Sequence, residues 1–285
     1  YIDHLKNEKF NSEHLDLSSI KIITSTGSPL AEESFKYVYS NIKKNVHLSS
    51  IAGGTDLVGC LVLGNLYSKV HKGEIQGQSL GIDVDVFNED GKSANDGEKG
   101  ELVVKQPFPS MPVKFWGDET GEKYHKAYFT KFENIWHHGD FIERTPNNGF
   151  IMRGRSDATL NPGGVRIGTS EIYQQVEDID FITEGLVVGQ DYKNDVRIIL
   201  FVTTKDSKEL DDNKIKLIKT KIRNNCSHKH VPSLIIKVPE IPKTKSGKIV
   251  ELAVRKIING EKLDNLEAIS NPESLKYFKN FKDLK

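Results

Sequence analysis

The stretch from Gly154-Arg155-Ser156-Asp157 through Gly163-Gly164-Val165-Arg166 to Ser170-Glu171-Ile172 concentrates residue types that could hold an anion. Its glycines let the backbone approach a ligand closely, Arg155 and Arg166 offer planar donors for hydroxyl or phosphate oxygens, and a helix start near Ser170 adds positive potential. Residue types alone leave two readings open, an anion-binding hinge loop and an ordinary surface loop. Pro242-Lys243-Thr244-Lys245-Ser246-Gly247-Lys248 gathers three ammonium groups in a turn before a helix and, on its own, reads as a solvated turn. Trp136-His137-His138-Gly139-Asp140 offers two imidazoles and a carboxylate. Neighbours on an extended strand point to opposite faces, which argues against a metal site there.

The elements that must position these residues alternate between strand-like and helix-like periods, with short polar punctuation and no internal repeat. The fold class is mixed, α/β and α+β. Ile20 to Ile23 is a strand candidate, and Pro29 suits the first position of a helix carrying Phe35, Val38 and Ile42 on one face. Val46-His47-Leu48 is a second strand. From Gly81 to Val104 the pattern becomes antiparallel sheet, with Ile82, Val84 and Val86 alternating with Asp83 and Asp85 and a turn at Asp90-Gly91. Gly149 to Arg153 is extended again and runs into the glycine-rich hinge. Beyond it come a helix with Ile172, Tyr173 and Val176, strands at 186–189 and 196–202, a helix with Ile215, Ile218 and Ile222, a strand at 234–238 and a helix at 250–259. The expected domains are the end of a large domain over 1–156, a small mobile α+β domain over 157–260, and a polar tail over 261–285.

Composition narrows the function classes. The chain has 285 residues, 36% hydrophobic and 28% charged, with 40 basic residues against 40 acidic ones. Zero formal charge supplies no field toward nucleic acid or an anionic membrane, so any anion site must be local. The longest apolar runs, such as 198–202, fall far short of the roughly 20 residues a membrane-spanning helix needs. Two distant cysteines, Cys60 and Cys226, imply neither a disulfide framework nor a zinc knuckle, and a reducing cytosol fits them. The first residue is Tyr1, which leads to the expectation that the chain is the C-terminal part of a longer polypeptide.

The hinge segment resembles that of the adenylate-forming enzymes, the superfamily of acyl-CoA synthetases, peptide-synthetase adenylation domains and luciferases. Thr26-Gly27-Ser28-Pro29, Gly53-Gly54-Thr55-Asp56, Trp136 to Asp140 and Pro242 to Lys248 fall into that family's order. The resemblance covers nearly the whole chain. The wording of Ala158 to Arg166, of Met111-Pro112-Val113 with Phe115-Trp116, and of Ile257 to Glu261 resembles the branch that activates acetoacetate.

The resemblance implies an acid–thiol ligase using ATP, CoA and Mg²⁺. Lys248 would bridge the carboxylate and phosphates during adenylation, where a point charge on a flexible stem suits oxygens whose charge redistributes. Gly27, Ser28 and Pro29 would line the adenine, Asp140 would accept from the ribose hydroxyls with Arg155 at the same end, and Thr55 would contact the α-phosphate. Asp56 stands where the wider family has Glu, one methylene longer, so a Mg²⁺ held there would be reached through water. Gly53 and Gly54 stand where acetate-specific relatives carry tryptophans, which implies a deeper acyl pocket for a longer acid such as acetoacetate. Gly164 would let the CoA pantetheine pass, Arg166 would reach a phosphate, and Asp157 would be the pivot of a domain rotation between the two half-reactions.

The family's Gly-, Ser- and Thr-rich phosphate loop has no counterpart in these residues, so weak or no turnover is expected of this chain alone. The alternatives are a ligase for acetate, propionate or butyrate, and a non-catalytic nucleotide- or CoA-binding half-protein. Expected partners are small molecules, with no nucleic acid and no membrane span. The expected setting is lipid or ketone-body metabolism in the cytosol.

Overall fold

A computed structural model of the chain describes residues 2–205, 209–263, 266–279 and 281, and the chain divides into two compact units, Tyr1–Met152 and Arg153–Lys285. The boundary falls inside a strand, just ahead of the 156/157 division expected from the glycines, because Gly154 and Arg155 continue the extended backbone.

The first unit opens with α1 (Ile2–Asn7), β1 (Ile22–Ser25), α2 (Glu32–Tyr37) and β2 (His47–Ser50). β1 and β2 pair in parallel, from Ile22 with His47 to Ser25 with Ser50, and that pairing sets β1 two residues later than the apolar run suggested. Parallel neighbours need a crossover. Here it is α2 continued by a π turn over Val38–Ile42, and Phe35 and Val38 are buried against Val46 and Leu48. Pro29 is not the first helical residue, as the sequence had suggested. The chain stays extended through Ala31 (φ −64°, ψ 150°), and the helix starts at Glu32, whose carboxylate and that of Glu33 complement its positive end.

Next come β3 (Ala52–Gly54), β4 (Gly59–Leu63) and β5 (Gly77–Gln78), a small antiparallel sheet. They are followed by β6 (Val84–Phe87), β7 (Lys99–Val104), α3 (Glu122–Tyr128), β8 (Trp136–Arg144) and β9 (Phe150–Arg155). β6 to β9 form a four-stranded sheet in that order, with β6–β7 antiparallel as the alternation predicts. Val84, Val86, Leu102, Val104, Trp136 and Ile142 belong to its core. Asp85 departs from the expected polar face, since it is buried. Burial alone would raise its pKa, but the Val86 N–H, the Ser93 hydroxyl, Arg144 and Lys105 surround the carboxylate and hold it below the usual range.

The second unit contains α4 (Thr169–Val176), β10 (Ile182–Tyr192), β11 (Asp195–Thr204), α5 (Asp212–Asn225), β12 (Leu234–Lys237) and α6 (Glu251–Ile258). β11 is central, antiparallel to β10 and parallel to β12. The run Ile198 to Val202 is apolar at every position because both sheet faces are covered. Val187, Leu200 and Val202 pack with Ile172 and Val176 of α4 and Ile218 and Ile222 of α5. Leu186, Val188, Ile199 and Phe201 pack with Val254 of α6 on the other face. That face also takes Leu275 and Phe278, with Phe278 edge-on to Phe201 at 4.8 Å. The stretch expected as a polar tail therefore contributes to the core, with Ile269, Leu275 and Phe278 buried in this cluster. Residues 264, 265, 280 and 282–285 of that stretch lie outside the described residues.

Candidate active site

In the first unit the parallel pair does the positioning. β1 and β2 end side by side at Ser25 and Ser50, tied further by the Ile51 amide on the Ser25 carbonyl at 2.9 Å. The two loops that follow are those carrying Gly27-Ser28-Pro29 and Gly53-Gly54-Thr55-Asp56. Loops at the carboxyl ends of parallel strands are where α/β sheets bind ligands. Gly27 takes φ 96° and is exposed, as is Ser28. Thr55 and Asp56 are exposed in a turn closed by the Val58 amide on the Thr55 carbonyl at 3.1 Å. Val58 sits at φ 48°, a strained conformation for a β-branched residue.

β8 brings its own residues to the same place. A Cβ on Gly54 would lie 2.8 Å from His138 Cε1, so residue 54 is packed against the imidazole. His138 Nε2 is 3.6 Å from Asp140 Oδ2, and the Trp136 indole N–H donates to His138 Nδ1 at 3.2 Å. His137 points elsewhere, to Glu101 at 3.0 Å. Tyr128, the last residue of α3, stacks on Trp136 (3.6 Å between ring centres, 12° between planes), and its hydroxyl donates to Asp56 Oδ2. The unit thus joins Asp56 to Asp140 through Tyr128, Trp136 and His138. Sequence reasoning did not single out Tyr128, Trp136 or His138 for that role, and their spacing carries no local signal of it.

Gly53 has a different explanation from the pocket expected there. A Cβ on it would lie 2.1 Å from the Gly59 carbonyl oxygen and 2.6 Å from Cys60 Cα. Close strand approach between β3 and β4 demands glycine here, whatever acid the protein takes.

In the second unit, Arg155 Nε lies 3.6 Å from Asp157 Oδ1, both about half exposed, and Arg255 donates to the Asp157 carbonyl at 3.3 Å. Gly154 (φ 118°) and Gly168 pack closely: a Cβ on Gly154 would meet Thr169 Oγ1 at 2.8 Å, and one on Gly168 would meet the Arg153 carbonyl at 2.2 Å. The loop carrying Gly164 and Arg166 is closed at its base by reciprocal Leu160 and Ile167 hydrogen bonds of 2.9 Å. Lys248 ends a tight turn in which its amide donates to Thr244 Oγ1 at 3.0 Å and Gly247 takes φ 82°. Its side chain is exposed, and among the described residues none pairs with its ammonium. Three positions on, Glu251 accepts from the Tyr173 hydroxyl at 2.7 Å, and that oxygen accepts from the Val187 amide at 3.1 Å. Burial first, then the charge of Asp157, raises the Glu251 pKa against its hydrogen bonds. Burial and the neighbouring carboxylate push the Tyr173 phenol well above its ordinary value.

A divalent cation has few protein ligands to choose from. Among the described residues no three His, Cys, Asp or Glu side chains converge on one point. Asp56, with one carboxylate oxygen engaged by Tyr128, still has a second oxygen, which suits a Mg²⁺ completed by phosphates and water.

No family model matches the chain. Its fold is that of the C-terminal region of the adenylate-forming acyl-CoA ligases: a benzoate CoA ligase from Burkholderia xenovorans LB400 superposes with a TM-score of 0.69 at 24% identity, over 83% of this chain and 46% of that one. By fold and sequence the chain is similar to part of the acyl-CoA synthetases. It is 54% identical over 286 residues to the acetoacetyl-coenzyme A synthetase of Rhizobium meliloti (strain 1021), covering 100% of this chain and 44% of that protein. The solved acetoacetyl-CoA synthetase from Streptomyces lividans gives a TM-score of 0.90 at 36% identity, over 98% of this chain and 43% of the other. The chain thus spans less than half the length of each of these three proteins. Among the described residues, no helix is long and apolar enough to cross a membrane.

Proposed function

We propose that this chain is the C-terminal part of an AMP-forming acid–thiol ligase that activates acetoacetate and transfers it to CoA. The observation that carries this reading is identity of 54% to an acetoacetyl-coenzyme A synthetase over 100% of the chain. A carboxylate resists thiol attack because its oxygen leaves poorly. ATP supplies AMP to that oxygen, pyrophosphate departs, and the acyl adenylate then yields the thioester, AMP and a proton.

Each candidate residue has chemistry suited to a step. Asp140 accepts from the ribose hydroxyls, with Arg155 at the same end of the nucleotide, while Gly27, Ser28 and Pro29 border the adenine. Thr55 donates to the α-phosphate, and Lys248, exposed and unpaired among the described residues, neutralises carboxylate and phosphate oxygens as adenylation proceeds. Asp56 would hold Mg²⁺, whose positive charge would offset that of the phosphates. Gly164 gives the thiol passage, Arg166 reaches a phosphate, and Asp157 is the pivot that exchanges Lys248 for the Gly164 loop. We place the ligase in the cytosol, in lipid or ketone-body metabolism.

The test is to join this chain to the upstream portion of the Rhizobium meliloti relative and assay acids in turn with ATP, Mg²⁺ and CoA. Acetoacetate-dependent pyrophosphate release with thioester formation is expected. Preference for acetate, propionate or butyrate would move the assignment to another short acid, and nucleotide or CoA binding without turnover by any acid would replace it with a binding module.

A further inference from the structure

The tip of the hinge loop is held by a carboxylate from another element. Gly163 (φ 58°, ψ 35°) and Gly164 (φ 78°) are consecutive left-handed residues, a pair with much conformational freedom to lose. The Gly163 amide donates to Asp195 Oδ1 at 2.8 Å, across 32 positions of sequence. Asp195 is the first residue of β11, opposite Tyr192, after a two-residue turn in which Lys193 and Asn194 are both left-handed. Such turns match strand twist and are stiff, so the carboxylate has a fixed origin. The same oxygen accepts from the Val196 amide at 2.7 Å. These two amides keep the Asp195 carboxyl below the usual range, aided by Lys229.

Lys229 closes the other side. Its Nζ lies 2.6 Å from where a Cβ on Gly163 would stand, and the turn bearing it is anchored by its amide on Ser227 Oγ at 3.2 Å. Gly164, by contrast, would meet nothing within 4 Å and borders an open groove of about 560 Å³ walled by Tyr192, Lys193 and Asp195. The loop is gripped at Gly163 and left open at Gly164.

We propose that Asp195 is a positioning residue for thioester formation, holding the Gly163 amide so that Gly164 presents an open backbone to the incoming thiol. This rests on the ligase reading above. Adenylation, which draws on Lys248 at a separate turn, does not need the contact.

The experiment measures both half-reactions in the joined protein described above: acid-dependent exchange of pyrophosphate into ATP, and CoA thioester formation from supplied acyl adenylate. For Asp195→Ala the second should fall by about tenfold or more, as expected when a reacting group's support is displaced, while exchange stays within about twofold of wild type. Asp195→Asn keeps an acceptor oxygen for the Gly163 amide and should recover most of the loss. Hydrogen exchange in the 160–167 peptide should quicken in the Ala variant only. Equal loss of both half-reactions would make Asp195 merely structural, and no change in either, or unchanged exchange protection, would remove its role. Wild type with no pyrophosphate exchange would overturn the ligase reading itself, and this inference with it.

Discussion

The Tyr128 hydroxyl donates to Asp56 Oδ2 across 72 positions of sequence, while its ring lies stacked on Trp136. The contact gives a short carboxylate on an exposed turn a defined direction. Removing the phenol should free Asp56 without disturbing the stack. Tyr128→Phe is therefore expected to raise the KM for Mg-ATP by about three- to tenfold, the net worth of one ordinary hydrogen bond, with melting temperature little changed. A KM unchanged across Mg²⁺ concentrations would separate Asp56 from the metal.

That pair also shows where the sequence stops being legible. The hinge segment and the lysine turn stand out as continuous stretches rich in glycines and cations, yet their residue types alone left an ordinary loop and a solvated turn open. The β10–β11 hairpin and its flanking helices were readable, since strand and helix periods differ and both sheet faces are apolar. Tyr128 with Asp56 and Gly163 with Asp195 are pairs made by tertiary packing, and nothing in the spacing of either marks it. Asp85 looked like a solvent-facing strand residue because alternation says nothing of the Arg144, Lys105 and Ser93 that gather around it. Pro29 failed as a helix start because the loop after β1 takes it.

On the proposed reading, Lys248 serves one half-reaction and not the other. Its exposed ammonium, at the end of a turn fixed by Thr244, suits charge stabilisation during adenylation. Lys248→Ala should lower acid-dependent pyrophosphate exchange by about a hundredfold or more, yet leave thioester formation from supplied acyl adenylate within a few-fold. Equal loss of both would show that the lysine supports structure or binding throughout.

Gly53 and Gly54 separate packing from pocket. A side chain at 53 would strike the Gly59 backbone, which cannot yield without breaking the β3–β4 pairing. Gly53→Ala should cost about 1–3 kcal/mol in urea denaturation, and Gly53→Trp should give no folded protein rather than an acetate-selective one. At 54 the added Cβ meets the His138 side chain rather than backbone, so Gly54→Ala should fold, displace that ring and raise the KM for ATP through Asp140. A folded, acetate-preferring Gly53→Trp protein would restore the pocket explanation.

Glu251 sets a pH dependence for the second unit. Burial, reinforced by the charge of Asp157, raises its folded pKa above the 4.5 of a free glutamate, while Tyr173 and Arg155 oppose the rise. Between 4.5 and the raised value the folded chain binds more of this proton than the unfolded chain does. Its stability contribution is therefore fully present below 4.5 and is lost as pH climbs through that window. Glu251→Gln keeps an acceptor for the Tyr173 hydroxyl but cannot ionise, so its loss of stability with rising pH should be shallower than that of wild type from pH 4.5 upward. Melting temperatures of the two proteins, taken every half pH unit from 4 to 8, provide the check. Parallel curves would mean that Glu251 titrates alike folded and unfolded, its hydrogen bonds from Tyr173 and Thr169 cancelling the effect of burial.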